Sequence, residues 1–160
     1  MSDPRIELLL SSLHRAFEGK SWHGPALKGA LRGVTLKAAT RRPGKGRNSI
    51  RDLVYHCAYW KYIVRRWLLE QAGAEPGPAF PRSPANFPDP AERVTEKLWA
   101  ADKRLLNEQH RLLVAAVKGL PPNVLDRKGG NTGMTYAELI QGVAAHDLYH
   151  AGQVSLLKRL

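Results

Sequence analysis

Three of the six histidines in this 160-residue chain occupy positions where a helix would hide its apolar residues. The stretch "HDLYHAGQVSLLKRL" (146–160) sets His146 and His150 one turn apart, in a seam that reads Leu139, Val143, His146, His150, Val154, Leu157. Side chains four apart on a helix start about 6 Å from each other and lean the same way, so two imidazoles so placed can bind one ion. His56 sits in a comparable seam, Leu53, His56, Trp60, Ile63, Trp67, on a different helix. Three buried imidazoles each need a polar partner and repel one another if protonated. A shared divalent ion resolves both difficulties, and three nitrogen ligands leave the fourth tetrahedral position open, as catalytic rather than structural sites do. The spacing alone is equally met by core histidines with hydrogen-bonded rings, and both readings stand at this point.

The other chemistry-bearing residues are placed less tellingly. Asp147 and Gln153 follow their histidines at i+1 and i+3, positions that suit supporting or substrate-facing groups rather than ligands, and Trp60 is a candidate pocket wall. His23, in "SWHGP" (21–25), either covers a pocket mouth or belongs to a loop anchored by Trp22. His110 shares a stripe with Leu106, Leu113 and Val117 and reads as a packing residue, while His14 falls at the edge of the first helix. Cys57 is turned ~100° from His56 and reads as a small buried hydrophobe. As the only cysteine it excludes an internal disulfide and any cysteine-based metal cluster within the chain. No HExxH glutamate is present to act as a base, which counts against peptide hydrolysis.

The elements that must position these residues are helical. Four long segments carry the helical period, and almost nothing alternates with the period of two that strands require. The expected helices cover about 5–18, 49–70, 91–118 and 135 to the end, with a short one near 25–32. Ser49 with Asp52 and Thr135 with Glu138 form capping-box pairs. The third long helix shows a stripe of Val94, Leu98, Ala101, Leu105, Leu112 and Ala116. Between the second and third long helices, "GAEPGPAFPRSPANFPDP" (73–90) contains six prolines. Extended at ~3.1 Å per residue it reaches about 55 Å, further than the ~33 Å of a 22-residue helix, so those two helices can be parallel and joined by a crossover.

Composition agrees with a single soluble domain over residues 1–160. Hydrophobic residues make up 43% and charged residues 24%. No apolar run approaches the ~20 residues of a membrane span and no signal-peptide pattern opens the chain, so a cytoplasmic location is expected. The net charge of +11 invites a nucleic-acid reading. Much of it lies in "KAATRRPGKGRNSIR" (37–51), read as a solvated basic loop or a rim that attracts a small anion. Without interleaved aromatics or a nucleic-acid-binding motif, it is not expected to read sequence.

On "FEGKSWHGPALKGAL" (17–31), "NSIRDLVYHCAYW" (48–60), "LWAADKRLL" (98–106) and above all "TYAELIQGVAAHDLYHAGQVSLLKR" (135–159), the chain resembles the DinB/YfiT-like family of bacterial metalloenzymes. The resemblance covers nearly the whole length, and it implies an all-α four-helix bundle of up-down-down-up topology. It also implies a Zn²⁺ or Ni²⁺ site on His56, His146 and His150, and a homodimer. Its members of known activity use low-molecular-weight thiols such as bacillithiol or mycothiol in transfer or isomerisation, so a metal-dependent thiol S-transferase acting on a small, anionic molecule is the leading expectation. A metal-dependent hydrolase on the same site, or a basic nucleic-acid-binding protein with a structural metal, are the alternatives. Asn48-Ser49-Ile50 departs from the family's common His-Ser-Ile opening of that helix, at a position that is not a ligand.

Overall fold

The computed structural model describes residues 3–160, and among these it is all-helical, with no strand beyond an isolated bridge between Lys128 and Thr135. The helices are α1 (Pro4–Phe17), α2 (Leu27–Ala30), α3 (Leu36–Thr40), α4 (Ile50–Gln71), α5 (Glu96–Lys118) and α6 (Tyr136–Leu157), with a 3₁₀ turn at Pro122–Val124. Local chemistry sets most of these bounds. Asp3 accepts from the Arg5 amide and Pro4 opens α1. Both expected capping boxes form: Ser49 and Asp52 exchange bonds at the start of α4, and Thr135 and Glu138 do so at the start of α6.

The core falls into two clusters along the length of the helices. One gathers Leu13, Leu68, Leu113 and Ile140; the other gathers Ile50, Val54, Leu106 and Val154. α4, α5 and α6 each contribute to both clusters, while α1 adds only Phe17 to the second. α6 is tied at its far end by Lys158, whose ammonium donates to the carbonyls of Ala30 and Arg32 beyond α2 rather than serving its own helix terminus.

The proline-rich crossover is ordered against α4 and carries the chain back along it. Arg65 donates to the Pro78 carbonyl at 2.6 Å, Tyr55 donates to the Pro84 carbonyl at 2.7 Å, and Arg51 meets Glu92. Arg51 and Arg82 also clamp Asp102 of α5, each at 2.6 Å, so the first turns of α4 and α5 lie side by side. Phe80 adds edge contacts with the rings of Tyr55 and Tyr59.

Three expectations need correcting. α5 starts at Glu96, capped by Thr95, rather than near 91, because Arg82 and Arg51 hold Glu92 in the crossover. Its buried stripe is Trp99, Asp102, Leu106, Gln109, Leu113 and Val117, and the stripe read from the sequence lies along the flank. The stripe of Leu106, His110, Leu113 and Val117 lies on this buried face, and Asp102 is admissible in it only because two guanidinium groups neutralise it. Residues 37–51 are not one solvated basic loop. Lys37 belongs to α3, Arg51 is buried against Asp102 and Glu92, and Arg42 pairs with Asp52 at 2.7 Å.

Candidate metal centre

α4 and α6 bring His56, His146 and His150 together. One ligand-capable atom from each lies within 4.8 Å of the others, and the His146 and His150 Nε2 atoms are 3.0 Å apart. The ring centroids of His56 lie 5.0 Å from His146 and 5.2 Å from His150. The seam that carries them differs from the expected one in depth. Ile50, Val54, Cys57, Lys61 and Leu68 form the hidden face of α4, while His56, Trp60, Ile63 and Trp67 sit half-buried beside it. A site at the edge of the core, rather than within it, is reachable by a small molecule.

Neighbouring residues decide which nitrogen each ring presents. His56 Nδ1 donates to Asn86 Oδ1 at 2.6 Å, and His150 Nδ1 donates to Gln153 Oε1 at 2.6 Å. A neutral imidazole that donates from Nδ1 keeps its lone pair on Nε2, so both rings aim ligand-ready nitrogens away from those amides. Phe87 stacks on His56 with centroids 4.3 Å apart, and Trp60 meets it edge-on at 6.3 Å. The crossover therefore completes the site, with Asn86 held in the left-handed region at φ 70°.

Electrostatics keep the rings neutral. Burial, followed by the like charges His150 and His56 would carry, lowers His146 from 6.5 to about 3. Burial likewise lowers His56 and His150, against the opposing bonds from Asn86 and Gln153. Metal ligation demands neutral imidazoles, and two nitrogens bound to one ion at ~2.0–2.1 Å in a tetrahedral set stand roughly 3.3–3.4 Å apart, close to what His146 and His150 already show. The donor set and its outer hydrogen bonds fit a divalent ion of borderline softness.

Asp147 is not substrate-facing. It is wholly buried, bonded to Lys61 at 2.5 Å, and its Oδ1 has no partner although it shares a second group with Cys57 and His146. Lys61 is equally hidden, its ammonium 5.1 Å from the Phe17 ring. Cys57 is fully buried, and that environment pushes its thiol well up. Gln153 supports His150 as described, and Trp60 lines a groove of about 200 Å³ that ends on His146.

His23 joins none of this. It is exposed, it does not line the cavity of about 760 Å³ beside Glu18, Pro25 and Lys103, and Trp22 is 99% exposed and so anchors nothing. That cavity shares no residue with the three histidines. Lys61, Asn86 and Phe87 escaped sequence reasoning. The available signal was aromatic: two of the chain's three phenylalanines, Phe80 and Phe87, lie in the proline-rich segment, where a solvated linker has no use for them.

His110 is buried as expected, stacked on Phe17 at 3.7 Å, but its Nδ1 has no hydrogen-bond partner. Burial, then the nearby Lys61 charge, lowers it from 6.5 to about 3. The unfolded chain thus binds a proton near 6.5 that the folded chain refuses until about 3. The resulting stability is complete above 6.5 and is lost as pH falls towards 3, at up to ~1.4 kcal/mol per pH unit. His110→Phe keeps the stack and removes the titration. Urea unfolding should show the variant at least as stable as wild type at neutral pH, with a shallower loss on acidification; equal slopes would contradict this account.

Residues 21–154 match the model of one protein family, described as the DinB superfamily. Searches of the curated proteins and of the solved structures return no significant match.

Proposed function

The chain belongs to the DinB superfamily, and from that premise we propose that it is a divalent-metal-dependent enzyme, using zinc or nickel on His56, His146 and His150 to transfer a low-molecular-weight thiol. The observation that carries this reading is the convergence of three neutral imidazoles, two of them oriented through Nδ1 by Asn86 and Gln153. The docking of the crossover back along α4 supports the up-down-down-up bundle that the family implies.

His56, His146 and His150 would hold the ion, which would supply Lewis acidity able to lower the pKa of a thiol from its ordinary value of about 8.5. The reaction class is R–SH + R′–X → R–S–R′ + HX: the S–C bond forms, the C–X bond breaks, and the thiol proton leaves with X. The chain's part is positional. Asn86 and Gln153 fix the rings, while Phe87 and Trp60 pack around His56 and limit water.

Hydrolysis on the same site is the second reading, and one observation disfavours it. The carboxylate grouped with His146, Asp147, is buried and engaged by Lys61, so it is poorly placed to take a proton from an attacking water. Elemental analysis of untagged protein, then incubation with chlorodinitrobenzene and a panel of biological thiols, tests the proposal. Conjugation that requires both thiol and metal is expected; ester or amide cleavage without thiol dependence would replace this reading with the hydrolase.

The outer hydrogen bonds give a graded prediction. Asn86→Ala and Gln153→Ala should each weaken metal binding about 10–100-fold without abolishing it, measured by competition against a chromophoric chelator. Unchanged affinity in both would show that these amides do not orient the ligands.

A further inference from the structure

The groove that ends on His146 is unlike the polar surroundings of the ligands' outer bonds. Trp60 and Trp67 of α4 form one wall, Leu139 and Val143 of α6 the other, and Met134 closes the edge. The loop that delivers Met134 passes close to Trp67. Gly130, at φ 65°, packs against the Trp67 ring, where any Cβ would collide, and Asn131 and Gly133 follow with φ of 53° and 75°. Met134 remains 51% exposed, a polarisable and adaptable side chain at the rim.

Gly142 borders the same groove one helical turn before His146, on the same face of α6. A Cβ placed there meets nothing within 4 Å. Gly142 is exposed, so a larger side chain there has open space to occupy beside the groove, near His146, without disturbing a neighbour.

Volume and polarity narrow the occupant. An apolar cavity of roughly 150 Å³ accommodates one benzene, so this groove of about 200 Å³ takes one ring with a short substituent. It is smaller than the ~300–1,000 Å³ of a pocket that swallows a whole drug-sized ligand. The low-molecular-weight thiols carry carboxylates or sugars and suit an apolar slot poorly.

We propose that this groove binds the apolar portion of the electrophilic substrate, a single aromatic ring or short branched alkyl group, and that Gly142 sets its size limit. The inference rests on the histidine cluster as reaction centre, but groove binding can be measured apart from it. Benzotrifluoride, a neutral one-ring probe, is titrated into the protein and followed by fluorine NMR, before and after metal removal by a chelator. Saturable binding in both forms is expected. It should weaken at least about tenfold in Gly142→Leu and in Met134→Trp, which narrows the groove from a different element, with folding checked by circular dichroism and bound metal unchanged. With turnover established, Gly142→Leu should also lose about tenfold in kcat/KM towards benzyl chloride while iodomethane is little affected.

The two readings fail separately. Probe binding sensitive to Gly142 in a protein that never holds metal sinks the metal centre and leaves the groove standing. Metal-dependent conjugation with probe binding indifferent to both substitutions sinks the groove assignment alone. Loss of probe binding accompanied by a change from dimer to monomer in light scattering would make the groove a contact between two copies, and would overturn the proposal.

Discussion

Replacing His56, His146 or His150 with alanine should each reduce bound zinc or nickel from about one equivalent to a small fraction, and abolish metal-dependent turnover. Two remaining imidazoles cannot match a three-nitrogen site, and the three histidines come from two different helices, so no single helix retains a full set. His14→Ala and His110→Phe should leave metal content unchanged, since His14 is exposed and His110 stacks on Phe17 without joining the cluster. The pH dependence has a definite sign. Protons compete with metal only where an imidazole accepts them, and burial holds His146 down to about 3 and lowers His56 and His150 as well. Metal release should therefore lag well below 6.5, the point at which an unperturbed histidine would let go. Elemental analysis after dialysis at stepped pH, with circular dichroism on each variant, provides the check. A full equivalent retained by His56→Ala would refute the convergence of α4 and α6 on one ion.

The second large effect concerns a pair that touches no substrate. Lys61 and Asp147 are both fully hidden and bonded to each other at 2.5 Å. Removing one partner strands the other charge where water cannot reach it, so Lys61→Met or Asp147→Ala should each cost about 3–5 kcal/mol in urea unfolding. The double variant Lys61→Met/Asp147→Leu should recover most of that loss, because well-packed apolar residues replace a buried ion pair at little or no cost. A double variant as unstable as the singles would mean that the pair is needed for more than mutual neutralisation. The unpartnered Asp147 Oδ1 beside His146 and Cys57 is the atom to suspect in that case.

Much of the helical framework was legible because it depends on short-range chemistry. Ser49 with Asp52 and Thr135 with Glu138 act within three residues, and apolar stripes such as Ile6, Leu9, Leu13 need only the helical period. The three clustered histidines were legible for the same reason: they break an apolar seam. Hydrophobic periodicity found Leu106, His110, Leu113 and Val117 of α5 but set its main stripe on the flank, since it treats Asp102 as solvent-facing and has no knowledge of Arg51 and Arg82, which lie 51 and 20 residues away in sequence. Lys61 and Asp147, 86 residues apart, were hidden in the same way. The contribution of Asn86 and Phe87 arises from irregular backbone without a period to detect, and the chain there folds against α4 through carbonyl and ring contacts.

Cys57, the only thiol in the chain, adjoins His56 and is completely enclosed. No alkylating reagent can reach it while α4 and α6 stay closed, so its labelling rate becomes a clock for transient separation of those helices. Where reclosing is faster than alkylation, the ratio of that rate to the rate for an unfolded thiol gives the opening equilibrium directly, one residue from His56. An ion that bridges the two helices would slow this clock in proportion to its occupancy. A natural cysteine thus turns the hidden face of α4 into a spectator of breathing motions, with no label introduced and no side chain altered.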